Sequence, residues 1–211
     1  LESKLEEYLG VKNCIIVSNG TIALQIALKV LGVTNEVITT PYSYVATTNA
    51  LLWENCKPVF VDIDPSTFSI DPDLIERLIT PNTEAILATH CYGIPGSVEK
   101  IEWIAKKFNL RVIYDAAHAF GVEFNSQSIL NYGDLSTLSF HATKLFHTVE
   151  GGAIICHSDE MALRVRQMRS FGHVGDEYYG LGINGKNSEF HAAMGHAVLP
   201  YVNEIIRRRK E

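Results

Sequence analysis

The sequence predicts an α/β domain, a mostly parallel sheet flanked by helices. Three observations carry that expectation. Short apolar runs of strand length alternate with helical patterns, as βαβ units require. Small polar turns rich in Gly, Asp and His follow several of those runs directly. Lys144 lies between two further runs, Leu135 to Phe140 and Gly152 to Cys156, which sets its amine at a strand end in the domain interior.

Leu1, Leu5 and Leu9 repeat at helical spacing and Gly10 stops the helix. Cys14 to Val17 reads as a strand, and Ser18-Asn19-Gly20-Thr21 as the turn into a helix from about Ile22 to Leu31. That helix is apolar nearly all round and is expected to be buried. A strand, a glycine turn and a helix N-terminus make an anion site, though the same turn also serves as a plain N-cap. Glu36 to Thr40 is the next strand; Pro41-Tyr42-Ser43-Tyr44 leads into a helix through Trp53. Tyrosines there can wall a planar ligand, or simply pack.

Lys57 to Asp62 is a strand, and Asp71-Pro72 caps a helix expected to run to about Ile79. Glu84 to Thr89 ends in His90-Cys91-Tyr92-Gly93. An amphipathic helix spans Ser97 to Phe108, and Arg111 to Tyr114 delivers Asp115-Ala116-Ala117-His118. A helix follows from about Ser158 to Ser170. Five glycines between Phe171 and Lys186 suggest a mobile or ligand-adapting loop. A last helix is expected from near Asn187 past Ile206. Residues 1–211 read as one domain.

Composition bounds the function. Of 211 residues, 46% are hydrophobic and 20% charged, which is an ordinary globular balance. The net charge of −6 argues against a nucleic-acid face; the basic run Arg207-Arg208-Arg209-Lys210 suits a helix C-terminus. No apolar stretch is long enough to span a bilayer. Cys14, Cys56, Cys91 and Cys156 form no C-x-x-C and fit buried thiols in a reducing cytoplasm.

In parallel sheets, ligands bind at the carboxyl ends of the strands. Gly20, Thr21, Tyr44, His90, Asp115, Ala117, His118 and Lys144 all fall just beyond strand runs. Taken alone, Lys144 reads as an ordinary snorkelling lysine; its companions change that. Removal from water favours a neutral lysine amine, which attacks aldehydes. A carboxylate after a buried strand, here Asp115, needs a partner such as a protonated ring nitrogen. The turn at Ser18 to Thr21 and the hydroxyl of Ser139 offer donors to a phosphate. Aldehyde, pyridine and phosphate are the three handles of pyridoxal 5′-phosphate (PLP). Ala117 is small enough for the ring to lie flat, Tyr44 is placed to cover its other face, and His118 to reach its phenolic oxygen.

Ser-Asn-Gly-Thr, Pro-x-x-Tyr-Val-Ala-Thr, Val-Asp-Ile-Asp, His-x-Tyr-Gly, Asp-Ala-Ala-His, Ser-Phe-His-x-Thr-Lys and Glu-Gly-Gly occur in that order. In this the chain resembles the DegT/DnrJ/EryC1/StrS family of PLP-dependent sugar-nucleotide aminotransferases, from its first residues to its last helix. The resemblance implies the large PLP-binding domain of a fold type I aminotransferase. It makes Lys144 the Schiff-base lysine and proton shuttle, Asp115 the partner of the pyridine nitrogen, and His118 the residue beside the ring oxygen. Gly20, Thr21 and Ser139 match phosphate-binding positions. Asn184 matches an asparagine that reaches the cofactor of a second subunit, so a homodimer with a shared site is implied. His90 and Lys186 are the substrate-side candidates.

The implied reaction moves an amine from a donor, usually glutamate in the family, to a nucleotide-linked keto-sugar. Asp-Ala-Ala-His-Ala-Phe-Gly and Phe-His-Ala-Thr-Lys are similar to members that aminate dTDP-4-keto-6-deoxyglucose. A lysine at 144, where one branch has histidine, points away from that branch's dehydration chemistry. Family members continue beyond the final helix, about 187–211, into a smaller C-terminal domain, so the chain is expected to be the cofactor domain alone. The rival expectation is a dimerising, non-catalytic domain that keeps the pocket. Metal chemistry fits poorly, because His191 and His196 are five apart and miss the i, i+4 ligand pair.

Overall fold

The computed structural model describes residues 1–211. Its elements in order are α1 (Glu2–Leu9), β1 (Asn13–Val17), α2 (Gly20–Val30), β2 (Glu36–Thr39), α3 (Val45–Trp53), β3 (Lys57–Phe60) and β4 (Thr83–Thr89). Then come α4 (Val98–Phe108), β5 (Arg111–Asp115), a small hairpin of β6 (Glu123–Phe124) and β7 (Gln127–Ser128), β8 (Leu135–Ser139) and β9 (Gly152–Cys156). The chain closes with α5 (Asp159–Arg169), a hairpin of β10 (His173–Val174) and β11 (Glu177–Tyr178), α6 (Glu189–Val198) and α7 (Val202–Lys210).

Seven strands form one sheet in the order β3-β2-β4-β5-β8-β9-β1. β3, β2, β4, β5 and β8 run parallel; β9 is antiparallel to both β8 and β1. The mostly parallel sheet expected from the sequence is therefore present. Alternate residues of each strand face opposite sides. Ile38, Ile86, Val112, Tyr114 and Ile155 pack towards α1 and α4. Val37, Leu87, Ile113 and Ile154 pack towards α2, α3 and α5. Both faces are covered, which is why the strands read as continuous apolar runs. All four cysteines are buried and unpaired. No helix is long and apolar enough to cross a membrane.

Three segments differ from expectation. Asp71 to Ile79 forms two 3-10 turns, Pro72–Leu74 and Glu76–Leu78, rather than one α-helix. Asp71 caps the first by accepting the Asp73 N–H at 2.9 Å, and Pro81 forces the chain extended soon after, leaving no room for an α-helical ladder. The last helix is broken at Leu199–Tyr201, where Pro200 has no N–H to continue it. The segment after Phe171 is mostly exposed, yet it is not structureless. It carries the β10–β11 hairpin, and its backbone is tied to the end of α5 by Ile183 N–H to Met168 O and Gly185 N–H to Arg169 O. Gly172 and Gly182 meet backbone to backbone, so the glycines answer close approach.

Candidate active site

A cavity of about 710 Å³ opens at the carboxyl end of the parallel strands. Its walls come from the N-termini of α2 and α3, the ends of β4, β5 and β8, and the turn between β8 and β9.

One wall is the start of α2. Asn19 is its N-cap, in extended backbone, and its Oδ1 accepts the Ile22 N–H at 2.8 Å. The first-turn amides of Gly20 and Thr21 have no helical acceptor, as at any helix start. Ser139, half-buried, stands beside them. Gly152 is paired with Ser139 on one side and Val17 on the other. A Cβ at Gly152 would lie 2.6 Å from the Asn19 carbonyl carbon, and one at Gly20 would lie 3.0 Å from Ser139 Cβ. The two glycines let the helix N-terminus sit against the strand ends. The result is a cradle of free donors at a helix dipole, suited to a phosphate.

A second wall holds Asp115, the last residue of β5, only 7% exposed. Its Oδ1 accepts the Ala117 N–H at 3.1 Å and its Oδ2 accepts the Thr47 hydroxyl at 2.7 Å. A carboxylate buried among neutral donors favours a cationic ligand group. Ala117 also lines the cavity. His118 stands at the rim, its Nδ1 accepting the Tyr92 N–H at 3.3 Å and its ring stacked 6.3 Å from that of Tyr92. Desolvation against the wall, then the Lys144 ammonium, hold the His118 imidazole below its ordinary value, with Asp115 acting in the opposite sense. The bond to Nδ1 leaves the ring proton of neutral His118 on Nε2.

Lys144 reaches the cavity from the turn between β8 and β9. It is half-buried and sits five residues past the strand, not in the interior that the flanking apolar runs suggest. The turn is pinned at its neck by Phe140 N–H to Gly151 O at 2.8 Å and Thr148 N–H to Phe140 O at 2.9 Å. Phe140 and Phe146 anchor it in the core, edge to face at 4.9 Å. A buried aromatic pair on one side fixes where the lysine emerges on the other. Tyr44, 77% exposed, stands at the opposite lip.

The structure thus brings together Gly20, Thr21, Tyr44, Asp115, Ala117, His118, Ser139 and Lys144. It does not bring His90, Lys186 or Asn184 to that cavity. His90 is 1% exposed, stacked on Tyr114 at 4.6 Å, with Nδ1 accepting the Gly96 N–H. It is a core residue, not a substrate-side group. Lys186 lies on the outer surface with Nζ 4.5 Å over the Phe171 ring, and so is also removed from the substrate side within this chain. Asn184 is exposed and bridged to Ser170. Sequence reasoning missed Thr47, Ser43 and Thr89 behind Asp115, and the His141–Glu150 contact at 3.6 Å across the Lys144 turn. The Glu150-Gly151-Gly152 motif was the available signal for the last.

Burial holds the His90 imidazole at about 4, below the ordinary 6.5. Above pH 6.5 both states are neutral and His90 contributes no pH dependence. As pH falls from 6.5 towards 4, the unfolded chain takes up the proton and the folded one resists, so stability is lost. Urea unfolding is expected to show a loss on the order of 3 kcal/mol from this group between pH 7 and pH 4. In His90→Gln the total acid loss should shrink by about that amount. An unchanged pH profile would show that His90 titrates normally.

The chain is similar to known sugar transaminases in sequence and to solved aminotransferases in fold. A dTDP-4-amino-4,6-dideoxy-D-glucose transaminase of Shigella dysenteriae is 53% identical over 210 residues, covering 99% of this chain and 57% of that protein. One of the same name from Escherichia coli is 46% identical over 213 residues, covering 100% of this chain and 57% of its own length. The chain therefore spans little more than half of these curated relatives. Among solved structures, DesI in the presence of its TDP-sugar product superposes with a TM-score of 0.92 at 36% identity, over 96% of this chain and 52% of that one. NtdA from Bacillus subtilis, with bound cofactor PMP, gives 0.89 at 36% identity over 95% and 47%. The DegT/DnrJ/EryC1/StrS aminotransferase family matches residues 1–211 in full, and this chain belongs to that family.

Proposed function

We propose that this chain binds PLP in the 710 Å³ cavity and serves the transfer of an amine from glutamate to a nucleotide-linked keto-sugar, dTDP-4-keto-6-deoxyglucose. One observation carries the reading: an amine, a buried carboxylate and a helix-N-terminal cradle line a single cavity. The residues fit the cofactor's three handles: Lys144 offers an amine to the aldehyde, Asp115 a buried carboxylate held only by neutral donors to the ring nitrogen, and Gly20, Thr21 and Ser139 donors to the phosphate, all in one cavity. The choice of sugar follows the names of the Shigella and Escherichia relatives.

When bound, PLP supplies an aldehyde to carry the amine and a protonated ring that draws electrons from the breaking bond. The chain's own residues do the rest. The amides of Gly20 and Thr21 and the hydroxyl of Ser139 hold the phosphate. The Asp115 carboxylate keeps the ring nitrogen protonated. His118 Nε2–H donates to the phenolic oxygen. Lys144 Nζ is the covalent anchor between turnovers, and takes and returns the proton at the carbon that bears the nitrogen.

The chain pairs with a second copy in this reading. Support comes from Phe190, Leu181 and Tyr178, which are 89%, 76% and 78% exposed on and near the segment that carries Asn184. Such exposed apolar side chains mark an interaction face. The test of function is conversion of dTDP-4-keto-6-deoxyglucose with glutamate and PLP. The amino sugar and 2-oxoglutarate should appear in equal amounts. No product from a chain that holds PLP would leave the rival reading, a dimerising domain that keeps the pocket without turnover.

A further inference from the structure

Thr47 is fully buried on the first turn of α3, with its hydroxyl 2.7 Å from Asp115 Oδ2. A hydroxyl has one proton, and an ionised carboxylate only accepts, so Thr47 donates to Asp115. The 2.6 Å contact between Ser43 Oγ and Thr47 Oγ1 then has one direction, with Ser43 donating. Thr89 Oγ1 donates in turn to Ser43 Oγ at 3.3 Å. Three hydroxyls, from the turn after β2, from α3 and from the end of β4, align their dipoles towards one carboxylate. In a low-dielectric interior such chains polarise each member in series. The other oxygen, Oδ1, is fixed by the Ala117 amide.

Resting on the reading of this cavity as a PLP site, we infer that Thr47 is a positioning residue for Asp115, backed by Ser43 and Thr89. It sets the plane of the carboxylate that meets the ring nitrogen. A role in packing alone would need only the shape of the side chain, which valine reproduces. A role through Asp115 needs the hydroxyl, and it matters only to a ligand that has a ring nitrogen.

Equilibrium titration followed by absorbance separates the two roles. The probes are PLP and its analogue with carbon in place of the ring nitrogen. The chains are the unsubstituted protein, Thr47→Val and Thr47→Ser. Thr47→Val is expected to weaken PLP binding about tenfold or more, because an Asp115 carboxylate no longer held in its plane loses the charge-assisted hydrogen bond to the ring nitrogen. It should leave binding of the carbon analogue within about twofold, and Thr47→Ser should restore PLP binding. Equal weakening of both ligands, no weakening of either, or failure of serine to rescue would each overturn the inference and leave the cavity reading standing. If the unsubstituted chain binds neither ligand, the cavity reading falls and takes this one with it. Should Thr47→Val not fold, Ser43→Ala probes the next link; a PLP-selective loss of about threefold supports the chain, and an unselective loss or none overturns it.

Discussion

Lys144→Ala is expected to cut amine transfer by about a thousandfold or more, since it removes both the covalent anchor and the proton carrier. The fold should be unaffected. Lys144 contributes to its turn through its backbone, whose N–H donates to His141 O at 2.9 Å, and alanine keeps that bond. Its side chain is half-buried at a cavity edge, so the expected stability change is within about 0.5 kcal/mol. Parallel measurement of product formation and thermal unfolding checks both parts. Activity above a tenth of the unsubstituted level would show that another group moves the proton.

Gly152→Val is expected to damage both stability and cofactor affinity. Every side chain has a Cβ, and at this position it would lie 2.6 Å from the Asn19 carbonyl carbon and 2.8 Å from the Gly20 nitrogen. Those are backbone atoms, which cannot swing aside as a flexible side chain can. The start of α2 must move away from β9, and the phosphate cradle opens. Overpacking of this kind costs up to about 3 kcal/mol, which for a chain of this size lowers Tm by roughly 6–12 °C. PLP affinity should fall by at least about tenfold, since loss of one charge-assisted bond in the cradle already costs that much. Gly10→Ala is a useful contrast. A Cβ there meets nothing within 4 Å, so its strain comes only from the left-handed backbone at φ 63° and does not reach the cavity. A Gly152→Val chain with unchanged PLP binding would remove the cradle from the account.

Much of this was legible in the sequence because the fold writes its logic locally. A parallel sheet covered on both faces leaves continuous apolar runs, and short polar turns mark where those runs reach the ligand side. Asp115, Lys144 and the Ser18 to Thr21 turn were found that way. The same rule misplaced His90. It says how far along a strand a residue lies, not which way the side chain turns. At the end of β4, Thr89 turns to the cavity and His90 folds back onto Tyr114. Thr47 closes the Pro-x-x-Tyr-Val-Ala-Thr motif, but the motif alone does not show its role. A threonine inside an apolar helix gives no periodic or spacing signal, and its role arises only when α3 packs across the end of β5. The break at Pro200 was readable, since proline cannot continue a helix ladder, but the apolar pattern on both sides hid it. The packing of Gly172 against Gly182 depends on backbone proximity, which composition does not encode.

The central claim is that one cavity holds PLP with Lys144 as its anchor. The most direct measurement is the visible absorption spectrum of the chain with added PLP, followed by borohydride reduction and peptide mapping. The account predicts a yellow protein, and after reduction a single modified peptide with the pyridoxyl group on Lys144. A colourless protein, or a pyridoxyl group spread over surface lysines such as Lys106 and Lys186 with Lys144 untouched, would contradict it.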